Sequence, residues 1–329
     1  MTSEERHEAR YRRRLAERQR RREERSRACG TFEEVFSFQN LYKAGKLCCK
    51  GVGWKGSTQR YLGDIISNTA KTRKALMEGK WKTKGFHEFD LMERGKLRHI
   101  RSVHISERVV QRCLCDNVLV PVFSAAFIYD NAASLKDKGI DFAMDRMNCH
   151  LQRHVRKHGL KGGILVYDFS DYFNSAPHGP IYRENERRIR GAGRYMDDGY
   201  LIHEDVAYLK TCQEAVLTKC RELGIRMNRK KTRIVKLGEA RFLKTKFLVT
   251  QTGRVIRKMH RKSARKMREK LKKFRRWVDE GTMTREDVRT AYESWRGHMR
   301  RGNSWKVLRR MDKYYRKLYE SGDWRDNHV

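Results

Sequence analysis

The chain has 329 residues and carries 77 Lys and Arg against 40 Asp and Glu, a formal charge of +37. An excess of that size calls for a polyanionic partner, and phosphate neutralisation with counterion release makes nucleic acid the first choice. Eight cysteines without a Cys-x-x-Cys pair argue against a zinc module or a disulfide framework. The absence of an apolar run of transmembrane length or a secretory signal sets a membrane partner aside and leaves a cytoplasmic location as the expectation.

Residues 1 to about 28 interleave Arg with Glu and have no apolar stripe, as in an exposed helix or a disordered arm; with the aromatic-rich stretch up to residue 59 they form a basic N-terminal extension. Gly51, Gly53 and Gly56 mark a loop within it. Phe86–Leu91 and Lys96–Ile100, separated by Met92-Glu93-Arg94-Gly95, read as a β-hairpin. A helix follows, with Ser106 as its cap, Val109, Val110, Cys113, Leu114 and Leu119 on its apolar face, and Pro121 as its end. After the basic turn Ser134–Ile140, a second helix places Ile140, Met144, Met147, Leu151 and Val155 at core spacing.

Gly163-Ile164-Leu165-Val166-Tyr167-Asp168-Phe169 is a buried-strand pattern that ends in an acid. Tyr195-Met196-Asp197-Asp198 then sits at a hairpin tip, with Arg194–Met196 on one side and Gly199–Ile202 on the other. Val206, Leu209, Val216, Leu217, Cys220 and Leu223 describe a helix closed by Gly224. Beyond it come the basic turn Ile225–Thr232, a strand around Ile234 and Val235, and an alternating strand over Phe242–Val249. Residues 254 to 276 hold thirteen Lys or Arg against Glu269 alone, yet Met259, Met267, Leu271, Phe274 and Val278 keep a helical stripe. The spacing predicts one amphipathic helix with a very basic face, with Trp277, Trp295 and Trp305 as bundle core.

Two adjacent carboxylates repel, and holding them side by side is costly unless a cation neutralises them; hard oxygen ligands suit magnesium. Asp168 adds a third carboxylate on a second strand. Such a set fits a two-metal site for phosphoryl transfer, in which ions about 3.5–4 Å apart stabilise the attacking and leaving oxygens. A lone Asp-Asp is usually a solvated turn. The ordered set of Asp168, the aromatic pair Tyr172-Phe173, Asp197-Asp198 and a later basic turn is far rarer.

These motifs resemble the palm of reverse transcriptases. The stretch Arg98–Phe123 resembles the fingers of the bacterial branches related to group II introns, retrons and diversity-generating elements. Those branches include enzymes of mobile elements and of antiviral defence. The resemblance implies an α+β right-hand architecture, with fingers and palm built on an antiparallel sheet over residues 60–253 and a basic helical thumb over 254–329. It implies an RNA-directed DNA polymerase with two Mg2+ ions, or Mn2+ in their place. Its partners are an RNA template, the RNA/DNA duplex and deoxynucleoside triphosphates; no protein partner is indicated. Asp168, Asp197 and Asp198 are the implied catalytic and metal-binding acids. Phe173 is the implied steric gate against a 2′-hydroxyl. Lys231, with Lys230 in reserve, approaches the leaving pyrophosphate, and Lys138 or Lys136 the triphosphate. Residues 242–249 resemble the primer-grip strand.

The pattern breaks in one place. Asp168 and Asp197 are 29 positions apart, and Ile181–Arg194 contains no Gln-Gly-x-x-x-Ser type motif, so the palm is shortened where the family contacts template base and nucleotide. Positioning supplies much of enzymatic acceleration, so polymerisation is expected to be impaired. The alternative is a catalytically inactive, reverse-transcriptase-derived RNA-binding protein.

Overall fold

The computed structural model describes residues 2–93, 96–124, 127–170, 191–260 and 262–320. The fold is α+β, and the chain divides into two compact units, Met1–Ile128 and Tyr129–Val329. The divisions expected at residues 59 and 253 lie inside these units.

The first unit begins with α1 (Ser3–Arg27), whose Thr2 and Glu5 form a reciprocal capping box. The Arg-rich segment is therefore a helix. Near its end Arg25 donates to the Pro121 carbonyl and the Ser124 hydroxyl, and the Arg22 guanidinium lies over the Phe123 ring. Helices α2 (Phe32–Val35), α3 (Phe38–Cys49), α4 (Gly56–Gly63) and α5 (Ile65–Met77) follow, and then the antiparallel pair β1 (Phe86–Glu93) and β2 (Lys96–Val103). The expected hairpin is present; Arg94 and Gly95 of its turn lie outside the described residues. Helix α6 (Ile105–Leu114) packs Val109, Val110 and Cys113 against Leu41 and Ala44 of α3.

Two details of α6 differ from the sequence reading. His104, not Ser106, is the cap, its ring nitrogen accepting from the Ser106 N–H. Pro121 does not end the helix either. A π turn (Cys115–Leu119) widens the backbone ahead of it and leads into α7 (Val120–Ser124). A helix can pass a proline where the hydrogen-bond ladder is already displaced.

The second unit is organised around β3 (Gly163–Ser170), preceded by α8 (Ile140–His158). Its antiparallel partners are β5 (Asp198–His203) on one side and β6 (Arg226–Met227) and β7 (Arg233–Val235) on the other; β4 (Gly191–Tyr195) pairs with β5 at the edge. The apolar run of β3 is explained by cover on both faces. Ile164 and Val166 join Met144, Met147 and Leu151 of α8, while Leu165, Tyr167 and Phe169 join Leu209, Cys212 and Val216 of α9 (Val206–Glu222). As expected, α9 closes at Gly224, in the left-handed region with φ 67°.

A second, three-stranded antiparallel sheet follows, formed by β8 (Arg241–Phe242), β9 (Thr245–Val249) and β10 (Val255–Lys258). The single strand expected over 242–249 is thus a tight hairpin, turned by Leu243 and Lys244 at φ 49° and 63°. The basic helix is also shorter than its periodicity suggests. Val255–Lys258 pair as strand, and α10 spans only Lys262–Asp279, which leaves Met259 buried but outside the helix. With α11 (Arg285–Arg300) and α12 (Trp305–Tyr319), α10 forms a three-helix bundle on Met267, Leu271, Val288, Tyr292 and Met311. Of the tryptophans expected in its core only Trp295 packs there, its indole N–H donating to Ser263 Oγ at 3.0 Å. Trp277 and Trp305 are exposed. The two rings occupy helix positions that the apolar stripe does not reach.

Candidate active site

Period-two alternation sends Ile164, Val166 and Asp168 of β3 to one face, and Asp198, Tyr200 and Ile202 of β5 to the same face. The β3–β5 register makes Asp168 and Asp198 direct partners. Side chains so paired start about 4.5–5.5 Å apart at Cβ. Met196 and Asp197 form the two-residue turn between β4 and β5, so Asp198 opens the strand and only Asp197 lies in the turn. Met196 adopts φ 51°, a left-handed conformation that a Cβ makes costly. The turn is anchored to β3 by the Phe169 N–H, which donates to the Asp197 carbonyl at 3.2 Å. Arg194 braces it from within, donating to the Met196 carbonyl at 2.6 Å while its guanidinium lies over the Phe169 ring.

Two glycines permit the close packing beneath. A Cβ on Gly199 would run into the Tyr167 ring, and one on Gly193 would come within 2.6 Å of the Tyr200 hydroxyl oxygen. That hydroxyl meets His150 Nδ1 at 3.0 Å, and Arg146 and His150 both pair with Asp130. Burial opposes ionisation of Asp130, but His150 and Arg146 hold its carboxyl below the usual range. The Asp130 carbonyl accepts from the Arg194 N–H at 3.1 Å, so this buried network supports the edge strand that leads into the acidic turn.

The basic turn meets Asp168 from the other side. The Asn228 N–H donates to the Asp168 carbonyl at 2.8 Å, Thr232 Oγ1 accepts from the Asp168 N–H at 3.4 Å, and the Lys231 ammonium pairs with Asp168 Oδ2. Asp168 is only 5% exposed, so this cation is its principal compensation. The Asp168 hydrogen bond raises the Lys231 pKa. Asp198 is less well served: burial, then Asp197 and Asp168, push its carboxyl up to about 6 against the pull of Lys231 and Lys244.

Asp168, Asp197, Asp198 and Lys231 therefore converge at one end of the sheet. Lys138 is engaged elsewhere, donating to the carbonyls of Tyr129 and Asn131 and lying over the Tyr129 and Phe142 rings. Phe173 and Tyr172 lie outside the described residues. Asn228 and Thr232 stand in the basic turn without having drawn a role from sequence, and so does Lys244 in the turn between β8 and β9. The Asp130 network carried no motif at all.

No protein-family model and no curated protein matches the chain.

Among the described residues no three His, Cys, Asp or Glu side chains are gathered tightly enough to enclose an ion. Lys231 instead balances Asp168 directly. The donor set still suits a hard divalent cation in its chemistry. It is all carboxylate, and burial together with the two neighbouring acids makes one member, Asp198, harder to ionise than an ordinary carboxyl, as expected where negative charge lacks full compensation.

Proposed function

We propose that the chain is a metal-dependent nucleotidyltransferase of the reverse-transcriptase kind, extending a DNA primer on an RNA template. In this reading residues 60–253 are fingers and a shortened palm, and the bundle within 254–329 is the thumb. The observation that carries it is the register of β3 with β5, which joins Asp168 and Asp198, 30 positions apart in sequence, into one cluster with Asp197 at its rim. Asp168, Asp197 and Asp198 would hold two Mg2+ ions, which when bound activate the attacking hydroxyl and stabilise the leaving oxygen. A cation on Asp168 would release Lys231 to face the departing pyrophosphate, where positive charge offsets the charge that develops in the transition state. The N–H and hydroxyl contacts from Asn228 and Thr232 fix the backbone of Asp168, so its carboxylate is positioned before substrate arrives. The short connection between Asp168 and Asp197 predicts slow synthesis, because the family's template-contacting motif is missing from it.

A second reading is favoured by the Lys231–Asp168 ion pair, which compensates the buried acid without a metal: an RNA-binding protein that does no chemistry. Primer extension on an RNA template separates the two. Under the catalytic reading, deoxynucleotide incorporation depends on divalent cation and disappears in Asp197→Ala while RNA affinity is unchanged. No incorporation by the parent at any Mg2+ or Mn2+ concentration, with RNA still bound, would establish the second reading instead.

A further inference from the structure

The three-helix bundle carries a surface that the acidic centre does not use. Trp305 opens α12 and is 67% exposed, although indole is among the side chains that gain most from burial. It lines a groove of about 660 Å3 between the end of α11 and one face of α12. Arg309, Lys313 and Arg316 follow Trp305 by four, eight and eleven residues and so share its helix face, and Arg300 enters from α11. The Arg309 guanidinium lies over the Trp305 ring, 5.5 Å from its centroid, which restricts the ring.

The groove has little acid to balance this charge. Its Asp312 is already engaged, accepting from the Tyr292 hydroxyl at 2.8 Å and pairing with Arg296 at 3.0 Å. Among the described residues the ion-pair partner of Arg316 is the exposed Glu320, at 3.9 Å. Among the described residues no carboxylate pairs with Arg300, Arg309 or Lys313. A pinned aromatic face amid uncompensated cations is the combination that single-stranded nucleic acid recognises: each base offers a flat face, and each linkage a negative charge. A duplex offers the same charge but keeps its base faces stacked inside.

We propose that this groove binds an unpaired stretch of nucleic acid, with a base stacked on Trp305 and neighbouring phosphates on Arg300, Arg309, Lys313 and Arg316. The proposal stands whether or not the carboxylate cluster is catalytic, and Asp197→Ala leaves this binding unchanged. The test is fluorescence anisotropy of the full chain with a labelled oligouridylate and with a blunt duplex of equal length. Trp305→Ala weakens the single strand by about 5- to 150-fold and the duplex by less than about twofold. Trp305→Phe keeps most of the affinity. Lys313→Gln lowers the slope of log affinity against log salt by about 0.7 for the single strand. Unchanged circular dichroism and melting of Trp305→Ala show that the bundle is intact, as expected for so exposed a ring. The proposal is overturned if Trp305→Ala binds the single strand like the parent, if it loses single strand and duplex equally, or if polyglutamate competes as well as oligouridylate.

Discussion

Replacing Asp198 with Asn tests the electrostatics of the carboxylate cluster in the folded protein. Burial and the two neighbouring acids move the Asp198 carboxyl from an ordinary 3.8 to about 6. At 1.36 kcal/mol per tenfold change, ionising it in the folded state costs about 3 kcal/mol, and roughly half of that once water reaching the open side of the site is counted. The sign follows from linkage. Because the folded value lies above the unfolded one, the penalty is absent below about pH 4, grows between about pH 4 and 6, and is complete above that. Asn keeps the shape and removes the charge. Asp198→Asn should therefore match the parent near pH 4 and be the more stable protein at pH 8. For a unit of this size the gain amounts to roughly 3–10 °C in melting temperature. Thermal unfolding with chelator at the two pH values measures the difference. Adding Mg2+ at pH 8 should close most of the gap by stabilising the parent. A variant equally displaced at both pH values, or less stable than the parent at pH 8, would refute the reasoning.

Further outcomes follow from the same geometry. Lys231→Ala leaves the buried Asp168 without its cation and should cost about 1–3 kcal/mol in urea unfolding at pH 7, with Mg2+ restoring more stability to the variant than it adds to the parent. Gly199→Ala drives a methyl group into the Tyr167 ring and should destabilise the second unit by about 1–3 kcal/mol, seen as a lower urea midpoint. Met196→Gly relieves the left-handed turn residue and should raise stability by up to about 1 kcal/mol, while Met196→Val lowers it; equal midpoints for the two would contradict the strained turn.

The elements that position the cluster were legible because their patterns admit few alternatives. An apolar run as dense as Ile164–Tyr167 must be buried on both faces, and an acid at its end must then stand at the sheet's edge. Tyr195–Asp198 between short apolar segments reads as a turn for the same reason. Register was not legible: nothing local to β3 or β5 fixes the direct pairing of Asp168 with Asp198, and in the two-residue turn between β4 and β5 Met196 gives no glycine signal for its positive φ. The same gap hid the turn at Leu243-Lys244 and made two strands look like one. Lys231 belongs to a motif, whereas Asp130, Arg146, His150 and Tyr200 come from a loop, α8 and β5 and meet only after folding. Exposure of Trp305 was invisible because an indole beside basic residues reads equally well as a core anchor or as a surface platform.

The central claim is that carboxylates from β3 and the β4–β5 turn grip divalent cations together. Mn2+ binding to the full chain, followed by electron paramagnetic resonance with primer–template and a deoxynucleoside triphosphate present, tests it most directly. The account predicts saturable uptake of two ions with spin coupling between them, reduced to the nucleotide-borne ion in Asp197→Ala and in Asp168→Ala. Identical Mn2+ uptake by the parent and both variants would contradict it.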